Sequence, residues 1–304
     1  MNSIKTVKSV SEFIDAINQF SDSIKWKYDK HNLWYRGESN KHLNSLLIPS
    51  LYRNFISPEK YRNEKIEGND LSSIKTIENN LTSRFSTSAS SYINSVNFEK
   101  SKWNYYYLMQ HYGISTRLLD WSENALTALF FAVEKEDEEN DSIVWMLNPY
   151  SMNAWVLTQF EDQTPPDNSR HQIFCPYETE PTELYNKDKK VIVKELARQY
   201  LDMDYMLENT YYPIAILPHL FDIRMKQQKS CFTLFGNSVN GFLNNFKSIN
   251  FMVKIKVDKE YVKSIKEELF WLGINNESVY PGLDGIAKDV MYEERRKVNE
   301  QNKI

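Results

Sequence analysis

The segment that decides the fold is QHYGISTRLLDWSENALTALFFAVE, residues 110–134. Apolar residues recur at three- and four-residue steps from Ala125 to Val133, and most intervening positions are apolar too. This pattern predicts a helix buried on most sides. Asp120 and Glu123 have the spacing of a capping box, so we expect the helix to begin at about Asp120. Gly113 predicts that a preceding helix ends near residue 110.

The lead-in to this helix is unusually polar. It contains His111, Tyr112, Ser115, Thr116, Arg117 and Asp120. Charged side chains are costly to bury unless they are paired or hydrogen-bonded. Two interpretations are open: Asp120 is a plain helix cap and His111 a structural histidine, or the lead-in forms part of a functional site.

Composition predicts one globular domain that includes a substantial core. The 304 residues are 41% hydrophobic, 14% aromatic and 26% charged, and we assign them to a single domain, 1–304, with a core at 10–290. A Pro- and Asp-rich stretch at 149–190 is predicted to be a surface insertion. The net charge is -4, so no global basic field attracts nucleic acid or anionic membrane. A local basic groove remains compatible with this charge.

Several site classes have no sequence support. The chain has only 8 Gly and lacks the glycine patterns of Rossmann and P-loop phosphate sites. Five scattered His and the two cysteines, Cys175 and Cys231, match no metal-binding spacing, so no metal is expected. The two cysteines favour a reducing compartment. No apolar run is long enough to span a bilayer and MNSIKTVKSVSEF is not a signal peptide, so we expect a cytoplasmic protein.

Strand and helix patterns alternate without βαβ regularity. Strands are predicted at 33–38, 142–147, 213–218, 231–236 and 251–257. Helices are predicted from Val10 to Phe20, across much of 58–91, and after Asp258 as far as Gly273. Within the second of these, 83–91 is predicted to be a loop or a frayed helix end. The tail from Glu293 is predicted to fray. The fold class is therefore α+β, with a mixed, mainly antiparallel split sheet flanked by helices.

Two further clusters carry chemistry-bearing side chains. Tyr35, Arg36, Gly37 and Glu38 end an apolar strand, where Arg36 offers a planar fork of donors and Gly37 leaves room for a phosphate or sugar. Arg36 could equally form an ion pair with Glu38 or Asp120. The second cluster lies before a strand and consists of Arg224, Gln227, Gln228 and Thr233. An amide such as that of Gln228 can position a ribose hydroxyl but cannot act as a strong base.

Five motifs together resemble the FRG domain, a bacterial and phage-associated family. They are WYRGES (34–39), LLIPSLYR (46–53), LMQHYGISTRLLDWSENALTALFFAVE (108–134), IRMKQQKSCFTLFG (223–236) and ESVYPGLDGIAK (277–288). The resemblance covers roughly residues 10 to 290. It names a family without supplying a mechanism.

A second resemblance, to ADP-ribosyltransferases of the Arg-Ser-Glu type, does imply a mechanism. Tyr35-Arg36-Gly37 is similar to that family's first motif, and Ser115-Thr116 with the following helix is similar to its second. Where the third motif carries an acidic residue this chain has Gln227 and Gln228, so the carboxylate would come from Asp120 or Glu277. The resemblance implies an ADP-ribosyltransferase-like core with helical insertions.

The same resemblance implies residue roles. Catalysis would rest on Arg36, Thr116, Asp120 and Glu277. The NAD substrate would be held by Tyr35, Gly37, His111, Tyr112, Ser115, Arg117 and Gln228. Arg36 and Arg117 would be two guanidinium clamps that converge on the dinucleotide.

The expected function is that of a toxin or antiviral-defence effector. It would cleave NAD and transfer ADP-ribose to a macromolecule, with RNA or DNA the first acceptor to consider. An antitoxin or chaperone protein is a possible partner, and no membrane partner is expected. The alternative is a non-catalytic FRG module that senses a nucleotide or a phage component.

Overall fold

The computed structural model describes residues 3–23, 32–39, 47–57, 66, 68–93, 100–135, 141–159, 173, 200–201, 211–239, 241–242 and 251–301. The strands are β1 (Ser3–Val7), β2 (Trp34–Glu38), β3 (Leu118–Ser122), β4 (Ser142–Leu147), β5 (Ile214–Ile216), β6 (Ser230–Leu234) and β7 (Met252–Val257). The helices up to β6 are α1 (Val10–Ser23), α2 (Ser50–Phe55), α3 (Gly68–Ile93), α4 (Lys102–His111), α5 (Ala125–Val133), α6 (Pro149–Thr158) and α7 (Ile223–Gln227). A 3-10 turn (Lys259–Tyr261) then precedes α8 (Val262–Trp271), α9 (Asn276–Val279) and α10 (Leu283–Gln301).

The seven described strands form one mixed sheet in the order β1-β7-β4-β2-β3-β6-β5. Only β1 and β7 pair in parallel, and the other five neighbouring pairs are antiparallel. Helices cover both faces of the sheet, so the predicted α+β class is confirmed. The strand predictions for 33–38, 142–147, 213–218, 231–236 and 251–257 are confirmed to within about two residues at each end.

Each face of the sheet buries its own apolar core. On one face, Tyr35 and Val144 pack with Leu129 of α5 and with side chains of α1 and α8. On the other face, Trp34 and Trp145 pack with side chains of α2, α3, α4 and α6. Successive residues of β2 and of β4 therefore point to opposite cores, as strand geometry requires. A strand that is covered on both faces reads as a continuous apolar run, which explains SIVWML in β4.

The predicted start of the central helix is wrong. Residues Leu118–Ser122 form β3, and the helix begins only at Ala125. Asn124 is its N-cap, and its side chain accepts from the backbone N–H groups of Leu126 and Thr127. The capping-box spacing of Asp120 and Glu123 is a local pattern, whereas every residue of β3 pairs with β6. Tertiary pairing therefore overrides the local signal.

Two other boundaries also differ from expectation. The stretch 149–190 begins with helix α6, which packs on β5 through two hydrogen bonds between the Asn153 side chain and the Ala215 backbone, of 2.8 and 3.0 Å. Residues 160–172 and 174–190 lie outside the described part of the chain. The tail does not fray at Glu293, because α10 continues to Gln301. The helix predicted across much of 58–91 is confirmed from residue 68 onward, and its earlier part falls mainly outside the described residues. The loop or frayed end expected at 83–91 is wrong, because α3 continues to Ile93.

The sheet opens between β2 and β3. The described pairing of these strands is a single pair, Tyr35 with Ser122, whereas β2 and β4 pair at five positions. From this pair towards Glu38 and Leu118, β2 continues to pair with β4, and β3 continues to pair with β6. The two halves of the sheet therefore diverge, and the divergence leaves room for a cavity.

Candidate functional site

A cavity of about 710 Å³ occupies the opening between β2 and β3. Its walls come from the end of β2, from α2, the end of α4, the second half of β3, the end of α5, and the α7–β6 segment. The lining includes the cations Arg36, Arg53, Lys135 and Arg224, the carboxylates Glu38, Asp120 and Glu134, and the aromatic residues Tyr35, Tyr112, Trp121 and Phe131. Charged, aromatic and amide side chains from distant parts of the sequence therefore face one space.

Arg36 braces the two halves of the open sheet. Its Nε donates to Glu38 Oε1 at 2.9 Å, and its Nη1 donates to the Asp120 carbonyl oxygen at 2.8 Å. The Asp120 carboxylate lies 3.9 Å from Nη1. The Glu38 carboxylate also accepts from Trp145 Nε1 at 3.1 Å. The ion pair considered for Arg36 is thus present, and it holds the guanidinium at the cavity wall.

Gly37 is required by helix packing. A Cβ on Gly37 would lie 1.8 Å from the carbonyl oxygen of Ala128 and 2.7 Å from the backbone nitrogen of Ala132. Helix α5 therefore passes directly over β2 at this position. The space that the sequence suggested for a phosphate or sugar is filled by the backbone of α5, although Gly37 also borders the cavity.

A short hydrogen-bond chain fixes Asp120. Gln110 Nε2 donates to Asp120 Oδ2 at 2.8 Å, and the Thr116 hydroxyl donates to Gln110 Oε1. Asp120 is 58% exposed at its side chain, whereas Thr116 is buried and does not line the cavity. Thr116 therefore orients a cavity residue rather than meeting a ligand itself.

The expected convergence of Arg36 and Arg117 is wrong. Arg117 is fully buried, and its Nε donates to both Glu78 oxygens at 3.0 and 3.1 Å. Its Nη atoms donate to the carbonyl oxygens of Phe235 and Tyr200 at 2.9 and 2.6 Å. Burial lowers the pKa of Arg117, but the Glu78 carboxylate more than offsets this and leaves it above the ordinary value. A guanidinium with these partners belongs to the core.

His111 stands at the cavity edge as the last residue of α4. Its Nε2 lies 3.5 Å from Asp222 Oδ1, and its ring meets Tyr112 edge-on with centroids 5.0 Å apart. Burial and the nearby Arg224 lower the pKa of His111 below 6.5, although Asp222 and Asp120 act in the opposite direction. The surroundings of His111 therefore favour its neutral form.

Glu134 follows the last turn of α5 and lines the cavity. Its Oε2 accepts from the Tyr280 hydroxyl at 3.1 Å. The Arg224 guanidinium lies 4.8 Å from the centroid of the Tyr280 ring. Burial, Glu134 and its hydrogen bond hold the pKa of Tyr280 well above its usual range. Glu134, Tyr280 and Arg224 thus link α5, the α9–α10 segment and α7 at the cavity wall.

The remaining predicted site residues divide between the cavity and its surroundings. Tyr35, Tyr112 and Gln228 line the cavity. Burial raises the pKa of Tyr35 to about 12, and Gln228 Nε2 is held by the Val279 carbonyl oxygen at 3.0 Å. Ser115 does not line the cavity and accepts from Asn54 at 2.8 Å. Glu277 is exposed on α9 and is not a lining residue either.

Sequence reasoning missed several lining residues. Glu38, Arg53, Gln110, Glu134, Lys135 and Ser230 border the cavity without having been singled out as ligand-binding or catalytic. Glu38 and Gln110 are adjacent in sequence to predicted site residues, and this proximity could have indicated that they line the same site. Glu134 carried no such signal, because it opens the acidic run EKEDEEND (134–141), which is typical of a solvated turn.

The described residues contain neither a cluster of metal-binding side chains nor a helix that could cross a membrane. No group of three or more His, Cys, Asp or Glu side chains among them could hold a metal ion. None of the helices in the described ranges is both long enough and apolar enough to cross a membrane.

The cavity walls lie largely in one continuous part of the sequence. The segment from β2 to α5 supplies most of the lining, and Arg224, Gln228 and Ser230 add a wall from outside it. Residues 31–141 match the FRG domain. The FRG match therefore spans β2, α2, α3, α4, β3 and α5. These elements contain Arg36 with its bonds to Glu38 and Asp120, the buried ion pair of Arg117 with Glu78, and the part of α5 that passes over Gly37.

Comparisons with curated proteins and with solved structures found no match. The FRG resemblance is thus supported over residues 31–141. The likeness to ADP-ribosyltransferases stays a prediction.

Proposed function

We propose that the cavity between β2 and β3 binds NAD and that the protein transfers ADP-ribose to a macromolecule. The observation that carries the proposal is the convergence of cations, carboxylates and aromatic rings on one cavity at the opening of the sheet. Ligand pockets in proteins are typically about 300–1,000 Å³, and this cavity of about 710 Å³ lies within that range.

The cations of the cavity suit a pyrophosphate. Arg53, Lys135 and Arg224 come from α2, the end of α5 and α7, so positive charge surrounds the cavity from three elements. Guanidinium groups bind phosphate oxygens through paired donors, and ammonium groups add a compact charge. In the proposal these residues take the role that the sequence assigned to Arg117.

The aromatic residues suit the two rings of the dinucleotide. Tyr112 is 67% exposed at the cavity edge, and Phe131 is half-buried in the wall. Flat rings stack on aromatic side chains by an offset or edge-on arrangement. Tyr35 and Trp121 are buried and shape the floor.

The carboxylates suit the charge that forms during the reaction. The bond between ribose C1′ and the nicotinamide nitrogen breaks, and neutral nicotinamide leaves with the bonding electron pair. The ribose then carries positive charge, which a nearby carboxylate stabilises. An oxygen or nitrogen of the acceptor bonds to C1′ and loses its proton. Asp120 and Glu134 are the carboxylates for this role. A neutral side chain, Gln110 or Tyr280, donates to one oxygen of each, whereas both oxygens of Glu38 are engaged, by Arg36 and by Trp145.

The expected biological setting is that of a toxin or antiviral-defence effector in the cytoplasm, acting with an antitoxin or chaperone partner. RNA or DNA is the first acceptor to test. These statements extend the resemblance given by the sequence motifs, and the cavity chemistry is compatible with them.

The test is transfer of label from NAD. The protein is incubated with NAD labelled in the adenosine part, together with RNA, DNA or cell lysate, and nicotinamide release and labelled product are measured. Asp120→Asn and Glu134→Gln are expected to slow nicotinamide release at least about tenfold. Glu277→Gln is the matched control, because Glu277 is exposed outside the cavity. Absence of nicotinamide release from the wild-type protein would contradict the proposal.

One observation favours the second candidate, a non-catalytic sensing module. The Nε and Nη1 donors of Arg36 are already used by Glu38 and by the Asp120 carbonyl, so Arg36 shapes the cavity more than it offers reactivity. Nucleotide binding without release of nicotinamide and without label transfer would select this candidate.

A further inference from the structure

His111 is placed to act on whatever enters the cavity. It ends α4, which fixes its backbone, and its side chain is only 14% exposed. Its ring is held edge-on by Tyr112. Three charged groups from two other elements act on it: Asp222 and Arg224 from the start of α7, and Asp120 from β3. His111 is therefore fixed in a corner of the cavity that also contains carboxylates and a guanidinium.

Asp222 is fixed independently of His111. It is the N-cap of α7, and its Oδ1 accepts from the backbone N–H of Arg224 at 2.7 Å. The same oxygen lies 3.5 Å from His111 Nε2. A carboxylate beside one ring nitrogen favours the proton on that nitrogen and leaves the other nitrogen as an acceptor. Catalytic hydrogen bonds are often long before substrate binds and shorten in the complex.

We infer that His111 is the general base that accepts the proton of the acceptor nucleophile, and that Asp222 is a positioning residue which orients its ring. The inference rests on the proposed transfer of ADP-ribose and specifies how the acceptor is activated. It also specifies the acceptor class: a hydroxyl or a nucleobase nitrogen that carries a removable proton.

The C1′–nitrogen bond breaks and nicotinamide leaves with the electron pair. The acceptor oxygen or nitrogen forms a bond to C1′, and its proton passes to the unprotonated nitrogen of His111. His111 becomes an imidazolium, which the Asp222 and Asp120 carboxylates stabilise, and the proton then passes to water. Burial lowers the pKa of His111 and so favours the unprotonated form that a base requires.

The test compares two rates in the same reaction, nicotinamide release and transfer of label to the acceptor. A general base contributes about 10²–10⁴ to a rate. His111→Asn is therefore expected to lower transfer about a hundredfold more than it lowers nicotinamide release. His219→Asn is the matched control, since His219 is exposed and does not line the cavity.

A pH profile separates this role from a structural one. Transfer by the wild-type protein is expected to fall as the pH drops through the pKa of His111, below 6.5. Asp222→Asn removes a charge that raises this pKa, so the inflection is expected to move to lower pH. Asparagine also caps helices well, so α7 is expected to remain capped.

Three outcomes would overturn the inference. Transfer that survives in His111→Asn would show that another group takes the proton. An equal loss of nicotinamide release and transfer would show that His111 acts on the NAD half. A wild-type protein that releases no nicotinamide would overturn the proposed function and this inference together. The first two outcomes overturn only the role of His111, because the wild-type protein still releases nicotinamide in both.

Discussion

At the scale of single residues, the two arginines in the predicted clamp have different environments. Arg36 lies at the cavity wall, whereas Arg117 is buried against Glu78 and two backbone carbonyls. Removing one partner of a buried ion pair leaves an uncompensated charge, which costs much more than the pair contributes. Arg117 is therefore important for the stability of the fold.

We expect Glu78→Gln to destabilise the fold by about 3–5 kcal/mol, because the charge of Arg117 would remain buried without its partner. Urea denaturation followed by circular dichroism measures the change. Glu267→Gln on α8 is the control, since Glu267 is half-exposed and lines no cavity. A change below about 1 kcal/mol would show that water or another group reaches Arg117.

His111 is expected to titrate below pH 6.5, because burial and Arg224 disfavour its charged form. A folded-state pKa below the unfolded one means that the unfolded chain binds more protons. The contribution of His111 to stability is then fully present above pH 6.5 and is lost as the pH falls through the folded-state pKa. Proton NMR of the histidine ring measures the pKa directly, and a value above 6.5 would contradict the environment described.

At the scale of elements, sequence patterns predicted most strands and helices and misplaced the start of the central helix. The apolar periodicity of Ala125 to Val133 involves residues that are close in sequence. The central helix could therefore be predicted from the sequence. The strand at 118–122 depends on pairing with β6, which lies more than a hundred residues away. The cavity depends on where β2 and β3 diverge, and no local pattern encodes that divergence. The sequence motifs therefore singled out the lining residues Tyr35, Asp120 and His111, but they did not single out Glu134.

Asn124→Ala is expected to destabilise the protein by about 1 kcal/mol, because two backbone N–H groups at the start of α5 would lose their acceptor. Glu123→Ala is the comparison, since the capping-box interpretation would have placed the loss there. Thermal unfolding of both variants decides between them. A larger loss of stability in Glu123→Ala than in Asn124→Ala would instead support a helix that begins at about Asp120.

Gly37→Ala is expected to destabilise the protein by about 2 kcal/mol or more, because the new Cβ would overlap the backbone of α5. Gly113→Ala is the control. Gly113 has a φ of 77° and nothing within 4 Å of an added Cβ, so only about 1–2 kcal/mol of backbone strain is expected. If Gly37→Ala were harmless, α5 could not lie as close to β2 as described.

At the scale of the whole molecule, one architectural feature connects the fold with the proposed function. The sheet is joined between β2 and β3 by one described pair and by the Arg36 brace. Residues from six segments of the chain meet in the space that this opening creates. The FRG-matched segment and the α7–β6 segment therefore both line one cavity.

The most direct measurement is calorimetric titration of NAD into the wild-type protein and two charge-reversal variants. Lys135→Glu changes a lining residue, and Arg84→Glu makes the matched change on the exposed face of α3. We expect the wild-type and Arg84→Glu proteins to bind NAD equally, and Lys135→Glu to bind about tenfold or more weakly, because the new carboxylate repels the pyrophosphate. No binding by the wild-type protein, or equal binding by all three, would contradict a dinucleotide site in the open sheet.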